Sequence, residues 1–508
     1  MNDEPVNDEP VCKAGTQTGI TSPTSAQPSI GTPITDGELD NLFASLQRYA
    51  TVGLAVSGGG DSLALLHLFA RWVELARPAI RTCLVLTVDH GLRPASAAEA
   101  RFVAEEAHGL GLTHETLFWD DDKPATGLPA AAREARYRLM GERLTHKSQP
   151  AALVAAHTLD DQAETFLMRL ARGSGVDGLA GMAERTAHPD FPELAIVRPL
   201  LAVPGARLRA TLRYLGRTWL EDPTNADLDH ERPRIRAALP QLSAAGLTNA
   251  GLARSAVRIA RARDALAWAT TALATSAIAE TPGSFVTIDA LAFEAAPKEL
   301  QIRLLQRLLA RYGGQHPPAR LSELERLVDQ FARTGNRMVN PTENRVWDGL
   351  AATLGGCRIV AWHPRDVSDS ETRHAAQERP SIVVFREVGR GLPQLVLAPG
   401  EQAVWDRRFR VRLAPDAVAP AVVRAPSAAE CSFLRANAAK LPAWPATLTG
   451  EIAATMPVFE FKTPSLDTGD GGLLALVAPL WPGPNQPSLE AWCSVEAVVA
   501  PLAPTETG

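Results

Sequence analysis

Six consecutive residues, Ser57-Gly58-Gly59-Gly60-Asp61-Ser62, place glycines, hydroxyls and one carboxylate between an apolar run and a helical pattern. The run at 52–56 predicts a strand, and the pattern at 62–76 predicts a helix. A glycine-rich turn that opens a helix presents backbone N–H groups to an anion, and its missing Cβ atoms let a phosphate approach. The sequence therefore predicts a phosphate-binding loop.

The carboxylate of Asp61 decides which phosphate chemistry this loop favours. Ordinary P-loop enzymes carry a lysine at this position, and its absence argues against γ-phosphate transfer. A carboxylate beside phosphates indicates a bridging Mg²⁺, which prefers oxygen ligands. The alternative is a glycine turn capped by Ser and Asp, since such caps are common.

Two further motifs follow predicted strands. One is Val88-Asp89-His90-Gly91-Leu92-Arg93, and the other, at 155–165, contains His157, Asp160 and Asp161. Because ligands bind at the carboxyl ends of parallel strands, we expect these side chains near Asp61. Two alternatives are open: the Asp pair is a helix N-terminus stabilised by the dipole, or Asp89-His90 is a strand-end turn.

The elements that position these motifs alternate along the chain. Strands are predicted at 52–56, 82–88, 112–118 and 151–156, and helices at 62–76, 96–109, 129–145 and 160–172. This order predicts an α/β fold with a doubly wound parallel sheet. Beyond the sheet, a helical domain and a small C-terminal β-rich or α/β domain are predicted. The expected boundaries are 1–37 (disordered tail), 38–220 (nucleotide-binding domain), 221–250 (Arg-rich connection), 251–370 (helical) and 371–508 (C-terminal).

Arginines supply most of the positive charge and fall in patterns. Arg232-Pro233-Arg234-Ile235-Arg236 predicts a contact with RNA or nucleotide phosphates. Two helical rows, Arg254/Arg258/Arg261 and Arg303/Arg307/Arg311, are predicted to be solvated helix faces. The tryptophans at 119, 219 and 268 are predicted to lie in the core.

Composition limits the class of protein. The 508 residues carry a net charge of −6 and five cysteines with no C-x-x-C pair. This pattern predicts a reducing, cytoplasmic location and argues against a disulfide framework or a zinc ribbon. No apolar run reaches 18 residues and no secretory signal order is present, so no membrane association is expected.

Taken together, the motifs at 57–62, 88–93, 157–165, 198–201 and 222–225 resemble those of the tRNA(Ile)-lysidine synthase family of N-type ATP pyrophosphatases with the SGGxDS loop. The resemblance is strongest over residues 50–240, with weaker C-terminal likeness at 455–458 and 471–475. The family's Arg-rich element has Asn where this chain has Pro233.

This resemblance implies a specific reaction. ATP would adenylate C2–O of the wobble cytidine in an isoleucine tRNA with a CAU anticodon, releasing pyrophosphate. The ε-amine of free L-lysine would then displace AMP, giving lysidine and changing codon reading from AUG to AUA. ATP and Mg²⁺ are the expected cofactors, and a homodimer is possible.

The resemblance also assigns roles to residues. The 57–62 loop would hold pyrophosphate, with Asp61 and Asp161 on the metal and Asp160 or Asp161 on lysine. His157 would donate to the α-phosphate. Asp89, His90 and Arg133 would contact ATP, with Arg133 and Arg136 also candidates for tRNA. Arg232, Arg234 and Arg236 would bind tRNA.

Rival functions are a tRNA thiolase, which would need cysteine pairs, and GMP, argininosuccinate or asparagine synthetase, which would not need the Arg-rich element. A non-catalytic RNA- or nucleotide-binding relative would be expected to have lost Asp61 or the Asp pair. Both are present.

Overall fold

The computed structural model describes residues 31–76, 79–91, 96–124, 126–145, 150–221, 229–281, 283–314, 317–335, 351–362, 380–389, 391–417, 419–436, 448–461, 473–475 and 493–497. It divides the chain into two units, Met1–Arg261 and Ala262–Gly508. The predicted tail up to residue 30, Leu92-Arg93 and the 222–225 motif lie outside the described residues.

The first unit is built on six strands. They are β1 (Thr51–Ala55), β2 (Thr82–Asp89), β3 (Thr113–Phe118), β4 (Ala151–Ala155), β5 (Arg185–Ala187) and β6 (Ala195–Val197). The order in the sheet is β3-β2-β1-β4-β6-β5, with β5 antiparallel and the others parallel. The chain reverses its winding between β1 and β4, which is where ligands bind in such sheets. The predicted parallel sheet is confirmed.

Helices cover both faces of this sheet. They are α1 (Leu39–Phe43), α2 (Gly60–Ala76), α3 (Ser96–Gly109), α4 (Leu128–Thr145), α5 (Leu159–Ala171), α6 (Val176–Leu179), α7 (Gly205–Tyr214), α8 (Glu231–Ala244) and α9 (Asn249–Ala277), which continues into the second unit. On one face, α1, α2, α3 and α7 share a core with β1. On the other, Met140 and Leu144 of α4 pack on Leu84, Leu86 and Leu153.

The segment before α1 is fixed to α7. Arg207 donates to the carbonyl oxygens of Thr32 and Pro33, each at 3.1 Å, and pairs with Glu38 at 2.9 Å. The N–H of Ile34 donates to Oγ1 of Thr211 at 2.9 Å. The end of the predicted tail is thus an ordered part of the first unit.

The second unit combines helices with antiparallel sheets. Its helices are α10 (Ala290–Ala295), α11 (Lys298–Tyr312), α12 (Leu321–Gly335), α13 (Ala428–Ala436) and α14 (Thr449–Ala453). Its strands are β7 (Ile278–Thr281), β8 (Phe285–Asp289), β9 (Ala351–Leu354), β10 (Cys357–Trp362), β11 (Ser381–Arg386), β12 (Leu395–Leu397), β13 (Gln402–Trp405), β14 (Phe409–Leu413), β15 (Ala421–Arg424), β16 (Val458–Phe461), β17 (Leu473–Ala475) and β18 (Cys493–Ala497).

These strands form three sheets, ordered β7-β8-β11-β10-β9, β12-β15-β16-β17 and β13-β14-β18. The first sheet falls largely within the segment predicted to be helical. Its strands are short, and β11, which joins β8 to β10 in the sheet, lies about 100 residues further along the chain than β8, so no local pattern predicts this sheet. The β-rich C-terminal region agrees with the sequence prediction.

Two predictions for this unit are wrong: that the second arginine row is a solvated helix face, and that Trp268 lies in the core. Arg303 is buried and pairs with Glu299, and Arg311 pairs with Glu280 at 2.5 Å, so this row is not a solvated face. Trp268 is 74% exposed rather than in the core. In the first unit, Trp119 is buried as expected and Trp219 is partly buried.

Among the described residues, no helix is long and apolar enough to cross a membrane. Cys83, Cys357 and Cys431 are free thiols.

Candidate active site

The glycine-rich loop joins β1 to α2 and is fixed by its own serines. Oγ of Ser62 accepts from the N–H of Ser57 at 3.2 Å and donates to the carbonyl of Gly59 at 3.0 Å. Gly58 has a φ of +81°, which favours glycine. The N–H groups at the start of α2 have no partner within the helix, so this end of the helix is suited to bind an anion.

A segment after α7 lies against this loop. The N–H of Leu220 donates to the carbonyl of Gly58 at 3.0 Å, and Leu220 forms a bridge to Gly59. A Cβ added to Gly58 would lie 2.8 Å from Cδ1 of Leu220, and one added to Gly60 would lie 3.3 Å from the Trp219 ring. The glycines therefore serve close packing behind the loop as well as access for a ligand.

Asp61 is the ionisable residue of the loop, and its carboxylate is unusually placed. Its Oδ1 is buried without a hydrogen-bond partner, and Nη1 of Arg209 lies 3.8 Å away. Burial raises the pKa of Asp61 to about 6; Arg209 opposes this shift, and the nearby carboxylates of Asp161 and Asp160 add to it. A buried carboxylate oxygen without a hydrogen-bond partner, near two other carboxylates, is suited to contact a cation.

Asp160 and Asp161 have different surroundings although they are adjacent. Both oxygens of Asp160 are bound: Oδ2 accepts from the N–H of Gly205 at 3.0 Å and Oδ1 from Nδ2 of Asn249 at 2.7 Å. Oδ2 of Asp161 accepts from the N–H of Thr158 at 2.8 Å in a capping box. Asp160 is thus a junction between α5, α7 and α9, whereas Asp161 caps α5 at the site.

His157 lies at the end of β4, next to the Asp pair. Burial lowers its pKa to about 4, and the positive charges of Arg198, Arg133 and Arg232 act in the same direction against the opposing charge of Asp161. Its Nδ1 is buried with no hydrogen-bond partner. At neutral pH this imidazole is uncharged and can donate one N–H to a ligand.

The second motif forms a strand-end turn. Oδ1 of Asp89 accepts from the N–H of Gly91 at 2.8 Å and from Oγ of Ser96 at 2.5 Å. Burial would raise the pKa of Asp89, but these hydrogen bonds outweigh it and lower the pKa. His90 contacts Arg136 at 3.2 Å and the Trp119 ring. The geometry matches the turn that the sequence offered as an alternative to an ATP contact.

Arg133 lies on the adjacent helix α4. Its side chain is exposed and its guanidinium lies over the ring of Tyr137, 5.1 Å from the centroid. Its charge acts on His157. It therefore lies near His157 in the candidate site.

The Arg-rich element meets a buried glutamate. Glu164, 1% exposed in its side chain, accepts from Arg236 at 2.7 Å and pairs with Arg232 at 3.3 Å. Arg236 also acts on the charges of Asp61 and Asp161. Arg234 points elsewhere, since it is exposed and donates to the carbonyl of Asp229 at 3.0 Å. Two of the three arginines thus belong to the site.

Sequence reasoning missed four residues here: Glu164, Gly205, Arg209 and Asn249. Glu164 lies one helical turn after Asp160 and Asp161, so its helical spacing was the available signal. The other three come from elements far along the chain, and only the packing of α7 and α9 brings them to α5.

The carboxylates near the loop can be compared with the ligands that Mg²⁺ requires. In the part of the chain that the structure describes, no group of three His, Cys, Asp or Glu side chains is placed to hold a metal ion. Mg²⁺ at phosphate sites, however, takes only one or two carboxylates beside substrate phosphates and water. The orphaned oxygen of Asp61 fits such a site; the bound oxygens of Asp160 do not.

Comparison with known proteins places the first unit in a family. A family model described as a PP-loop domain matches residues 32–242. A tRNA(Ile)-lysidine synthase of a Bradyrhizobium species is 44% identical over 310 residues, covering 59% of this chain and 85% of the relative. The enzyme of that name from Rhodopseudomonas palustris is 46% identical over 335 residues, covering 64% and 93%. That from Caulobacter vibrioides is 33% identical over 396 residues, covering 76% and 81%.

Proposed function

The chain belongs to the tRNA(Ile)-lysidine synthase family, and we propose that it joins free L-lysine to C2 of the wobble cytidine in a CAU-anticodon isoleucine tRNA. ATP activates the cytidine as an adenylate, with pyrophosphate as the leaving group. Lysine then displaces AMP. The observation that carries this proposal is the position of the glycine-rich loop, which includes the buried and unpartnered carboxylate oxygen of Asp61, at the β1/β4 switch point of the sheet.

The loop supports cleavage between the α- and β-phosphates. Backbone N–H groups at the start of α2 hold the leaving pyrophosphate, and no lysine in the loop grips a γ-phosphate. Asp61 would hold Mg²⁺, and the ion would supply positive charge that spreads the negative charge developing on the phosphates. Arg209, 3.8 Å from Asp61, adds positive charge at the same place.

His157 and Asp161 serve the cytidine and the lysine. The neutral imidazole of His157 donates a hydrogen bond to the α-phosphate without adding a charge. Asp161, held by Thr158, attracts the lysine ammonium and accepts its proton, since only the neutral amine attacks C2. Arg232 and Arg236, held by Glu164, form the positive side of the site where the tRNA phosphates enter.

A half-reaction assay tests the proposal. Purified protein is mixed with Mg-ATP and CAU isoleucine tRNA, first without and then with lysine. We expect pyrophosphate release and a stable adenylated tRNA in the first mixture, and AMP release only after lysine is added. Conversion of ATP to AMP that does not depend on the tRNA would overturn the proposal and favour a small-molecule synthetase.

A further inference from the structure

The first half of α9 carries an exposed basic face. Arg254, Arg258 and Arg261 are spaced i, i+4 and i+7, which places them on one side of the helix. All three side chains are exposed, and within the described parts of the chain none of them forms an ion pair. Residues 249–262 include no Asp or Glu, although the whole chain has a net charge of −6.

The opposite face of this helix is packed, so its rotation is fixed. Leu252 and Ala256 are buried in a cluster with Phe166 of α5 and Leu239 of α8. The arginines are therefore held outward by the packing of their own helix. Held at the surface, these side chains keep their rotamer freedom and contribute nothing to the core.

The position of the face relative to the site follows from Asn249. This residue begins α9 and donates to Asp160 at 2.7 Å, so the helix starts at the candidate active site. At a rise of about 1.5 Å per residue, Arg254 lies about 8 Å and Arg261 about 18 Å further along the helix axis. The basic face starts beside the site and leads away from it.

We propose that this face binds the phosphate backbone of the tRNA whose wobble base occupies the site. The inference rests on the proposed function, which brings an anticodon to the site and requires the adjoining strand to leave it. Arg254 and Arg261 are about 10 Å apart along the axis, which matches about three steps of a stacked strand. Arginine suits phosphate through its planar, bidentate donors.

The test is the salt dependence of tRNA binding. Affinity of the Arg254→Ala/Arg258→Ala/Arg261→Ala variant for CAU isoleucine tRNA is measured across a series of salt concentrations, beside wild type. We expect an affinity at least about tenfold weaker at low salt and a slope of log K against log salt that is smaller by about 2 to 3. The triple Lys variant should keep most of the slope, because its charges remain.

Two measurements keep the result specific. Arg101→Ala, an exposed arginine on α3, serves as the control and should leave the slope unchanged. Binding of ATP to the triple Ala variant should equal that of wild type; a parallel loss would mean that the residues support the fold, and would overturn the proposal.

If the wild-type protein incorporates lysine into tRNA but the triple Ala variant keeps the wild-type slope of log K against log salt, the proposed role of this face in tRNA binding is refuted while the proposed function stands. Failure of the wild-type protein to modify any tRNA would refute the proposed function instead, and that outcome is read in the separate half-reaction assay.

Discussion

At the scale of the residue, Asp61 is the group whose ionised form the proposed chemistry needs but whose ionisation lowers the stability of the folded protein. Its pKa of about 6 means that ionising it in the folded protein costs free energy relative to the unfolded chain. Such a cost at the mouth of a phosphate-binding loop is the expected mark of a carboxylate kept for a cation. Asp89, by contrast, has its charge satisfied by Ser96 and Gly91 and serves the turn.

Replacing Asp61 with Asn should separate catalysis from stability. We expect adenylation to fall at least about 100-fold, with tRNA binding largely retained. Because the folded pKa is raised, the variant should be more stable than wild type at pH 8, by about 1 kcal/mol after allowing for a side chain that is 36% exposed. That gain should shrink as the pH falls from about 6 to about 4, and it should be absent below about pH 4, where the carboxyl group is neutral in both the folded and the unfolded protein.

Chemical denaturation at pH 4, 6 and 8 measures this difference, and Asp190→Asn, at an exposed loop carboxylate, is the control. Loss of tRNA binding in a folded Asp61→Asn variant would contradict the metal role.

The pH dependence of activity should reflect Asp61 and not His157. As the pH falls below about 6, Asp61 takes up a proton, and kcat/KM should fall about tenfold per pH unit. His157, with a pKa of about 4, stays neutral from pH 5 to 8, so its ring proton resonances should not shift in that range. Titration of His157 near its ordinary value of 6.5 would show that it acts as a charged donor.

At the scale of the element, the start of α8 explains the departure at Pro233. This proline is the third residue of the helix, in the first turn, where a backbone N–H has no partner within the helix and its loss is tolerated. Arg232 and Arg236 lie one turn apart and reach Glu164 together. The helical phase, more than the count of arginines, decides which of them enters the site.

Because of their positions on the helix, replacing Arg236 and replacing Arg234 should have different effects on stability and activity. Arg236→Ala leaves the buried Glu164 with one partner, so we expect a loss of about 2 kcal/mol at pH 7 and reduced adenylation. The pKa of Glu164 is already raised by burial, so this loss should shrink as the pH falls and the glutamate takes up a proton. Arg234→Ala removes an exposed bond to a carbonyl and should change stability by less than about 0.5 kcal/mol.

Thermal unfolding and single-turnover adenylation of the two variants provide the comparison. Equal effects at both positions would mean that the element acts as a general basic patch.

The sequence predicted the strands and helices around the loop to within two residues, because hydrophobic period and glycine position are local signals. It placed Asp61, His157 and the Asp pair at strand ends correctly. It could not separate the role of Asp160 from that of Asp161, since their difference lies in Gly205 and Asn249, contacts made across 45 and 89 residues. The sheet beginning at β7 was missed for the same reason.

At the scale of the whole molecule, the second unit has its own buried centre. Oδ2 of Asp406 accepts from Nε of Arg386 at 3.0 Å and from Nε of Arg408 at 2.9 Å, and all three side chains are almost fully buried. The two guanidinium groups also donate hydrogen bonds to backbone carbonyl oxygens, Arg386 to that of Gly356 and Arg408 to those of Gly283 and Thr455. One carboxylate thus joins the β13–β14 turn to the turns of the five-stranded sheet.

Removing that carboxylate should unfold the second unit selectively. Asp406→Asn leaves two buried guanidinium groups without a counter-charge, so we expect a loss of about 3–5 kcal/mol. Asp416→Asn, an exposed residue in the same region, should be close to neutral. Denaturant unfolding of the variant should become biphasic, with ATP binding by the first unit surviving the first transition. A single transition at the wild-type midpoint would show that the ion pairs of Asp406 with Arg386 and Arg408 do not determine the stability of this unit.

The proposed activity is tested most directly by supplying Mg-ATP and labelled lysine with either the CAU isoleucine tRNA or the initiator methionine tRNA, using wild type and Asp61→Asn side by side. With wild type we expect label in the isoleucine tRNA only, with AMP and pyrophosphate released; with the variant we expect no label in either tRNA. Wild-type protein that leaves both tRNAs unlabelled, or an Asp61→Asn variant that labels as well as wild type, would contradict it.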